Sequence, residues 1–323
     1  MVHNVTQTVI EGLLVFFYLY VLFIIIISKA KTFKNAFYSI FVASGITDVA
    51  SLLAGCYLRL NQELSLGEDL QDITRYFLLT THAALISHLI GNMLITINRY
   101  SALRHLHRYD LIWTRKNVFI AVIVQYAVSF ALFAHITVAK LIYVHNKDGT
   151  VNLKSYEVHI EMIVRLTLGG ACTIYVILSI ILDAKLFVEW KRISKMDASS
   201  KHRHHDKRLL MHTTVVFLCT LLMCIVQLSK AVATFFDINA LNIWLIMQYY
   251  WINDLMLSAS PFSLLLLSSD LRHEIANSFR SKKVENTTII SAVTRTNRTT
   301  VVRKFRAMIS LFVHVCILFD MDL

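Results

Sequence analysis

The chain has 323 residues, of which 56% are hydrophobic and only 16% are charged, and its formal net charge is +11. A soluble protein has about a quarter of its residues charged, so this composition argues against a soluble domain. A single proline and eight glycines are too few for the many turns of a soluble β or α/β fold. The composition predicts an all-α integral membrane protein.

Seven apolar windows are each long enough to cross a bilayer as a helix, which takes about 20 residues. They cover 9–28, 36–57, 76–97, 118–143, 162–187, 209–236 and 241–267. Soluble cores also contain apolar helices, but seven windows of this length leave little room for that interpretation. We therefore expect a seven-transmembrane helix bundle.

The distribution of lysine and arginine predicts the orientation of this bundle. If the N-terminus is outside, 25 of the 32 basic residues fall on the cytoplasmic side, counting Lys185 at the inner end of the fifth window, and 4 fall in external segments. Cytoplasmic loops carry the excess of basic residues in membrane proteins, so we expect an N-out/C-in topology. The positive charge then belongs to a face that meets anionic membrane lipid and cytosolic partners, and no nucleic acid is expected as a partner.

The N-terminal end carries two weaker signals. Residues 1–8 contain no Lys or Arg, so the first window is expected to be an uncleaved anchor and not a cleaved signal peptide. Asn4 begins an Asn-Val-Thr glycosylation sequon on the predicted outer side, although such short sequons also arise by chance.

A short amphipathic segment follows the seventh window. Leu271, Ile275 and Phe279 recur at every fourth position, which places them on one face of a helix. We expect a juxtamembrane helix over 271–285, capped by Asp270 and lying on the inner membrane surface. An unordered start of the tail is the alternative.

The predicted organisation is thus a membrane domain over 1–270, this helix, and a cytoplasmic tail over 286–323. The tail is rich in Thr, Asn and Arg and is expected to be disordered. Its apolar stretch 307–319 is too short to span a membrane, and its role stays open.

Three polar residues inside the windows need partners within the bundle: Asp48 and Asp254 lie midway along theirs, and Asn92 lies one or two turns from the inner end of the third. An ionisable side chain there costs about 2.5–3.5 kcal/mol on insertion scales. Asp48, Asp254 and Asn92 are expected to form one buried network, hydrated or filled by a cation, that biases the positions of the helices. Plain hydrogen bonding that holds the bundle together is an equal alternative.

Three basic residues lie toward the predicted outer ends of the windows. Lys140 ends the fourth, Arg165 opens the fifth, and Lys230 lies in the outer third of the sixth. If they face inward, they form an electropositive vestibule suited to a carboxylate or another anionic small molecule. Long basic side chains also reach harmlessly to the headgroups, and that alternative is favoured for Lys140.

Aromatic and polar side chains surround these cations, as a small-ligand site requires. The candidate ligand-binding residues are Phe77, Thr81, His82, Arg165, Lys230, Gln248, Tyr249 and Trp251. For the tryptophans and tyrosines, an interfacial aromatic belt is the alternative.

No soluble-enzyme motif is present: the chain has no GxxxxGK[ST], HExxH, CxxC or GxGxxG. We therefore expect no catalytic activity and no cofactor. The "HRHH" run over 202–205 resembles a metal-binding tract, but its flanking lysines are more typical of a solvated basic loop. No metal site is expected.

The third window ends abruptly in Asn98, Arg99 and Tyr100. An arginine at this border can bond to neighbouring helix ends in one arrangement of the bundle and to a cytosolic partner in another. Arg99 is therefore a candidate residue for a two-state switch.

Two short motifs carry a resemblance to a known family. "NRYSAL" follows the third window and "SPFSLLLLSSDLR" closes the seventh. With seven spans and a basic third internal loop, the chain resembles the rhodopsin-like arrangement of G-protein-coupled receptors. It looks more closely like the nematode serpentine chemoreceptors of the class gamma (Srg) superfamily, over about residues 9–283.

The resemblance implies a plasma-membrane, multi-pass chemosensory receptor that binds a small-molecule ligand and signals to a heterotrimeric G protein. The implied activation switch comprises Asp48, Asn98, Arg99, Tyr100, Asp254 and Pro261. Arg99 takes the place of the family arginine at the G-protein face. Asn98 stands where an acid is more usual, so the acid–arginine latch is absent.

A seven-span transporter or channel that uses an Asp48/Asp254 polar core is the alternative function. Transporters typically show internal repeats and broken helices, and neither a repeat nor enough proline for broken helices is present. A membrane hydrolase with a histidine metal site is weaker still, because the histidines of the windows lie at different depths.

Overall fold

The structure is a computed structural model that describes residues 5–28, 30–64, 68–105, 108–145, 151–196, 200–236 and 238–276. The chain divides into two units, Met1–Glu274 and Ile275–Leu323, and the contacts reported below lie within the first. Asn4, most of the predicted juxtamembrane helix and the whole predicted tail lie outside the described residues. Residues 269–276 are helical, and the rest of that predicted helix stays a prediction.

Seven long helices make up most of the described chain, and each overlaps one predicted window. They are α1 (Val5–Ile27), α2 (Ala36–Leu64), α3 (Gln71–Arg104), α4 (Arg115–Phe133), α5 (Val158–Met196), α6 (Ser200–Phe235) and α7 (Asn239–Leu267). Four short helical stretches of the described chain lie between them: the α-helical turn Tyr109–Ile112 and the 3₁₀ turns Lys31–Lys34, Glu68–Leu70 and Ala134–Val138.

Six helices of the described chain are long and apolar enough to cross a membrane. The six candidate spans are Thr6–Ile27, Ala36–Leu64, Gln71–Arg104, Arg115–Val138, Val158–Arg192 and Leu210–Phe235. Helix α7 has 29 residues but is not among them, because Asn253, Asp254 and several serines dilute its apolar residues. The described residues therefore confirm a helical bundle with six candidate spans.

The fourth window was predicted to be helical up to residue 143, and this is wrong at its end. Helix α4 ends at Phe133, and two strands, β1 (Leu141–His145) and β2 (Val151–Tyr156), pair antiparallel in the next connection. Leu141 is buried whereas Ile142 and Val144 are exposed, the alternation of a strand. Apolarity alone does not separate such a strand from a helix end.

The third internal loop was predicted over the basic segment between the fifth and sixth windows. Instead, α5 runs to Met196 and α6 begins at Ser200, so the described part of this segment is helical. Lys, Arg and Glu are good helix formers, and they extend both helices past the apolar windows.

Helix α3 lies at the centre of the bundle, where it packs against α2, α4, α5 and α6. Its residues 83–89 are each 3% exposed or less. The outside is apolar instead: Phe16, Phe119 and Leu218 are 75%, 66% and 56% exposed. Soluble monomers rarely expose so much apolar surface, whereas a helix bundle facing lipid does.

Helices α2, α3 and α4 approach one another closely at Gly91. A Cβ on Gly91 would lie 2.1 Å from Ser44 Oγ and 3.1 Å from Gln125 Nε2. Gln125 Nε2 donates to Ser87 O at 2.9 Å and to Ser44 Oγ at 3.2 Å. The side chains of Ser44 and Gln125 therefore leave no room for a Cβ atom at position 91, and only glycine fits there.

Helices α1 and α2 are joined by a buried ion pair. Arg59 lies near the C-terminal end of α2 and is only 4% exposed. Its Nη2 is 2.5 Å from Glu11 Oε2, and its Nη1 is 3.0 Å from Glu63 Oε1. A guanidinium paired with two carboxylates satisfies a charge that is hidden from water.

We expect Gly91→Ala to lower the free energy of unfolding by about 1–3 kcal/mol, because the added methyl group overpacks the contact with Ser44. The measurement is the midpoint of thermal unfolding of the purified protein in detergent. Gly170→Ala is the matched control, since nothing lies within 4 Å of its added Cβ and alanine favours the helix. A midpoint for Gly91→Ala equal to the control would contradict the close approach.

We expect Arg59→Met to lower the free energy of unfolding by about 3–5 kcal/mol, because it leaves the Glu11 carboxylate buried and unpaired. Arg75→Met is the control: Arg75 pairs with Asp72, whose side chain is 85% exposed, and such a pair contributes at most about 1 kcal/mol. The same thermal unfolding assay compares them, and equal losses would refute a special role for the buried pair.

Candidate functional site

At the predicted outer side, α6 and α7 bring a buried lysine onto an aromatic ring. Lys230 is 7% exposed, and its Nζ lies 4.5 Å from the centroid of the Tyr249 ring. The face of an aromatic ring attracts a cation in this geometry. Among the described residues, Nζ of Lys230 has no hydrogen-bond acceptor.

Arg165 on α5 faces the same region. Its charge acts on both Lys230 and His82, so the three side chains lie within electrostatic range of one another. Arg165 Nη2 is 3.4 Å from Glu161 Oε1, and Glu161 also accepts a hydrogen bond from Ser155. Nε of Arg165 is buried with no partner among the described residues.

The β hairpin supplies Tyr156, which the sequence analysis did not single out. The His82 ring stands edge-on to Phe133 at 5.5 Å and to Tyr156 at 6.2 Å between ring centroids. Tyr156 is 8% exposed, and its buried hydroxyl has no partner among the described residues. Burial raises the pKa of this hydroxyl, and the nearby Arg165 partly opposes the rise.

These side chains form what we call the outer cationic cluster: His82, Tyr156, Arg165, Lys230 and Tyr249. Four of the five were predicted as ligand-binding residues. A strand in the connection between α4 and α5 was not predicted, and no short motif marks Tyr156, so its place in the cluster could not be predicted from the sequence.

The remaining candidates lie apart from this cluster or have no described contact with it. Phe77 stacks on Tyr57 of α2, with 4.1 Å between ring centroids, and Thr81 donates a hydrogen bond to the Phe77 carbonyl at 2.9 Å. Gln248 and Trp251 are half-buried on α7. No described contact joins either of them to Lys230.

A second group, the central network, lies in the middle of the bundle. The Tyr18 hydroxyl donates to Asp48 Oδ2 at 2.6 Å, and His88 Nδ1 is 2.9 Å from Asp48 Oδ1. On its other side, His88 Nε2 is 3.4 Å from Thr220 Oγ1, which accepts from Asn92 at 3.2 Å. All five side chains are buried, so the network ties α1, α2, α3 and α6 together.

Asp48 and Asn92 are thus connected, as expected, but through His88 and Thr220. His88 was not predicted as a member of this network. The histidines of the windows were considered only as metal ligands, and their different depths argued against that role. His88 lies four residues before Asn92 and therefore on the same face of α3. This spacing is the signal from which its place in the network could have been predicted.

Asp254 belongs elsewhere, which corrects the prediction of one network containing both acids. Gln7 Nε2 donates to Asp254 Oδ2 at 3.5 Å, and the charges of Glu11 and Arg59 act on it. No described contact joins Asp254 to Asp48. The first turns of α1 provide its partners, because they pack beside α7.

At the predicted cytoplasmic end, Arg99 is held by an aromatic ring. Its guanidinium carbon lies 3.8 Å from the centroid of the Phe37 ring on α2. The same ring stands edge-on to His212 of α6 at 6.0 Å. Arg99 therefore lies where α2, α3 and α6 meet, a position from which it can respond to their separation.

The neighbours of Arg99 anchor the connection that follows α3. Asn98 is fully buried, and its Nδ2 donates to the Tyr109 hydroxyl at 3.0 Å. Trp113 Nε1 donates to Ser101 Oγ at 2.6 Å. The hydroxyl of Tyr100, by contrast, accepts from Arg104 in an exposed contact at 2.9 Å. Asn98 thus fixes this connection, where an acid would have paired with Arg99.

Pro261 is buried inside α7, where it removes one backbone N–H from the helix. Close to it, Ser263 Oγ is 2.7 Å from His212 Nδ1, and Phe262 stacks on Phe17 with 4.2 Å between centroids. The proline therefore lies at the point where α7 contacts both α1 and α6.

Among the described residues, no group of three or more His, Cys, Asp and Glu side chains is placed to hold a metal ion. The side chains of the "HRHH" run lie outside the described part.

Comparison with known families now bears on these sites. The chain matches the family described as serpentine type 7TM GPCR chemoreceptor Srv over residues 7–281. No curated protein matches the chain. The match supports the serpentine chemoreceptor assignment that the two motifs suggested, but it does not support class gamma specifically.

A match of this extent covers most of the 323 residues and all seven long helices. It accounts for the bundle, its apolar exterior and the polar groups turned inward. The chain belongs to the Srv family of serpentine seven-transmembrane chemoreceptors.

Proposed function

We propose that the protein is a plasma-membrane chemosensory receptor that binds a small molecule at the outer cationic cluster and signals to a heterotrimeric G protein. The observation that carries this proposal is membership of a chemoreceptor family over residues 7–281. That family is one of receptors and not of enzymes. The outer cationic cluster offers a site for the small molecule, and the residues around Arg99 at the other end of the bundle offer a site for the G protein.

We further propose that α7 is the seventh span and that the N-terminus is outside. At 1.5 Å per residue, its 29 residues exceed the thickness of the hydrocarbon core, which is about 30 Å. Asn253 and Asp254, the residues that make it less apolar, are 3% and 6% exposed and are therefore hidden from lipid. The strong bias of basic residues toward one side supports the N-out/C-in orientation.

The ligand class follows from what the outer cationic cluster lacks. Arg165 Nε and the Tyr156 hydroxyl are buried with no partner among the described residues, and the Lys230 ammonium lies over the Tyr249 ring. Buried polar groups are nearly always hydrogen-bonded in folded proteins. A small molecule with a negatively charged oxygen and an apolar body would satisfy these donors and pack against the Tyr249 ring.

The proposed mechanism is a shift between two arrangements of the bundle. A ligand that binds one arrangement better than the other moves the equilibrium toward it. In the described arrangement Arg99 is held on Phe37, so α2, α3 and α6 are together at the cytoplasmic end. Separation of these helix ends would release Arg99 to contact the G protein.

The transporter alternative rested on a continuous core containing Asp48 and Asp254. These acids have different partners in the described residues, so no specific contact favours that alternative.

A reporter cell that expresses the receptor with a tag at each end tests the proposal. We expect a G-protein response to a subset of small anionic molecules, the N-terminal tag accessible on intact cells, and the C-terminal tag accessible only after permeabilisation. Both tags accessible from the same side would refute the topology. A surface-exposed receptor that gives no G-protein response across a broad anion library would refute the function.

We expect Lys230→Met to reduce the potency of an anionic agonist by about tenfold or more, because a hydrogen bond to a charged group contributes about 1.5–3 kcal/mol. The readout is the agonist concentration that gives half of the maximal response. Lys140→Met is the matched control, since Lys140 is exposed and outside the cluster. Equal losses in the two variants, at equal surface expression, would show that the cluster does not bind the agonist.

We expect Phe37→Leu to raise signalling without ligand about fivefold, because a cation–π contact of about 1 kcal/mol no longer holds Arg99. Arg99→Ala should instead reduce the response to agonist. Phe41→Leu is the control: Phe41 is buried one turn further along α2 and stacks on Phe37 at 6.3 Å, with no described cation above it. Equal basal signalling in the two leucine variants would contradict the release mechanism.

A further inference from the structure

A groove of about 690 Å³ opens on the outside of the bundle, at the end where α2 and α4 begin. It is lined by the end of α1, the start of α2, the connection that follows α3, and the first turns of α4. Its volume lies within the range of about 300–1,000 Å³ typical of small-molecule sites. None of its lining residues belongs to the outer cationic cluster or to the central network.

The floor of the groove is apolar and faces sideways, toward the hydrocarbon. Val42, Phe119 and Val122 line it together with Ile26. Phe119 is 66% exposed and Ile26 is 63% exposed, so in a membrane these side chains face acyl chains and not water. A water-soluble ligand would not match this floor, whereas an acyl chain does.

The mouth of the groove is charged. Lys34 and Arg115 both line it and are both exposed, and neither has an ion-pair partner among the described residues. They lie at the starts of α2 and α4, where the positive end of the helix dipole favours an anion. Two cations and two helix starts therefore converge on one opening.

One acid, Asp110, also lines the mouth. The charged groups are thus two cations and one carboxylate. A phosphatidylserine headgroup has the complementary set, with a phosphate, a carboxylate and one ammonium group. Basic pockets between transmembrane helices on the cytoplasmic side bind anionic headgroups in this manner.

We propose that this groove binds one phosphatidylserine molecule of the cytoplasmic leaflet. The phosphate and carboxylate lie against Lys34 and Arg115, the ammonium against Asp110, and an acyl chain along Val42 and Phe119. The site rests on the proposed orientation of the bundle but not on the ligand or the G protein.

The bound lipid would touch the part of the protein that holds the switch. Tyr109 and Trp113 line the groove, and they are also the residues that hydrogen-bond to Asn98 and Ser101 beside Arg99. An occupant would therefore brace the connection that follows α3 in its described arrangement. The lipid would stabilise that arrangement of the cytoplasmic end.

Native mass spectrometry of the full chain in detergent, with equal amounts of phosphatidylserine and phosphatidylcholine, tests the proposal. We expect one phosphatidylserine to be retained preferentially. The double variant Lys34→Ala, Arg115→Ala should retain it about thirtyfold less, since each basic residue contributes about 1 kcal/mol near an anionic headgroup. Lys116→Ala is the matched control, because Lys116 is the exposed neighbour of Arg115 and does not line the groove.

A second pair of variants tests the floor. Val122→Trp fills the groove and should also reduce retention, whereas Ile123→Trp should not, because Ile123 is 49% exposed and lies outside the groove. Phosphatidylglycerol is anionic but has no ammonium group. The unaltered protein should retain it less than phosphatidylserine, whereas the Asp110→Asn variant should retain the two lipids equally. The unfolding midpoint of each variant, measured without added lipid, separates loss of the site from loss of the fold.

Equal retention of phosphatidylserine and phosphatidylcholine, or an unchanged preference in the Lys34/Arg115 double variant, would overturn the proposal. Lipid retention is measured on the purified chain without agonist or G protein. A receptor that signals without this preference would therefore refute the lipid site alone, and a selective lipid site in a chain that does not signal would refute the proposed function alone.

Discussion

The bundle depends on hydrogen bonds between polar side chains of different helices, and the contact of Asp48 with Tyr18 and His88 is the central one. In hydrocarbon there is no water to satisfy a polar group, so each one must find a partner on a neighbouring helix. The Tyr18 hydroxyl at 2.6 Å and His88 Nδ1 at 2.9 Å meet this demand for Asp48. Because the partners come from α1 and α3, the same contacts fix the register of three helices, and Thr220 extends the network to α6.

The two ends of the bundle follow the same rule in different ways. The buried charge of Arg59 is paired with Glu11 and Glu63, which closes α1 against α2. Arg99 at the other end is held on the Phe37 ring, a weaker contact that can be exchanged for another. A strong pair at one end and an exchangeable contact at the other suit the proposed mechanism, in which the bundle opens only at the end that carries Arg99.

The outer cationic cluster and the groove beside α2 and α4 both carry polar or charged groups without a described hydrogen-bond or ion-pair partner. In the cluster these groups are buried and face the interior, which suits a small ligand surrounded by protein. At the groove they are exposed and stand above an apolar floor, which suits a lipid. Both proposed sites use a lysine, an arginine and aromatic rings. They differ in how deeply these side chains are buried and in whether they face the interior of the bundle or the membrane.

The sequence alone predicted the seven helices and the kinship with serpentine chemoreceptors, because apolar length and short motifs are local properties. It did not reveal that residues 141–145 form a strand, since apolar strands and helix ends look alike. Nor did it show that Asp48 pairs with His88, 40 positions away, or that Asp254 has other partners. Those choices depend on how each helix is rotated about its axis and how deep it lies, and only the packed bundle decides them.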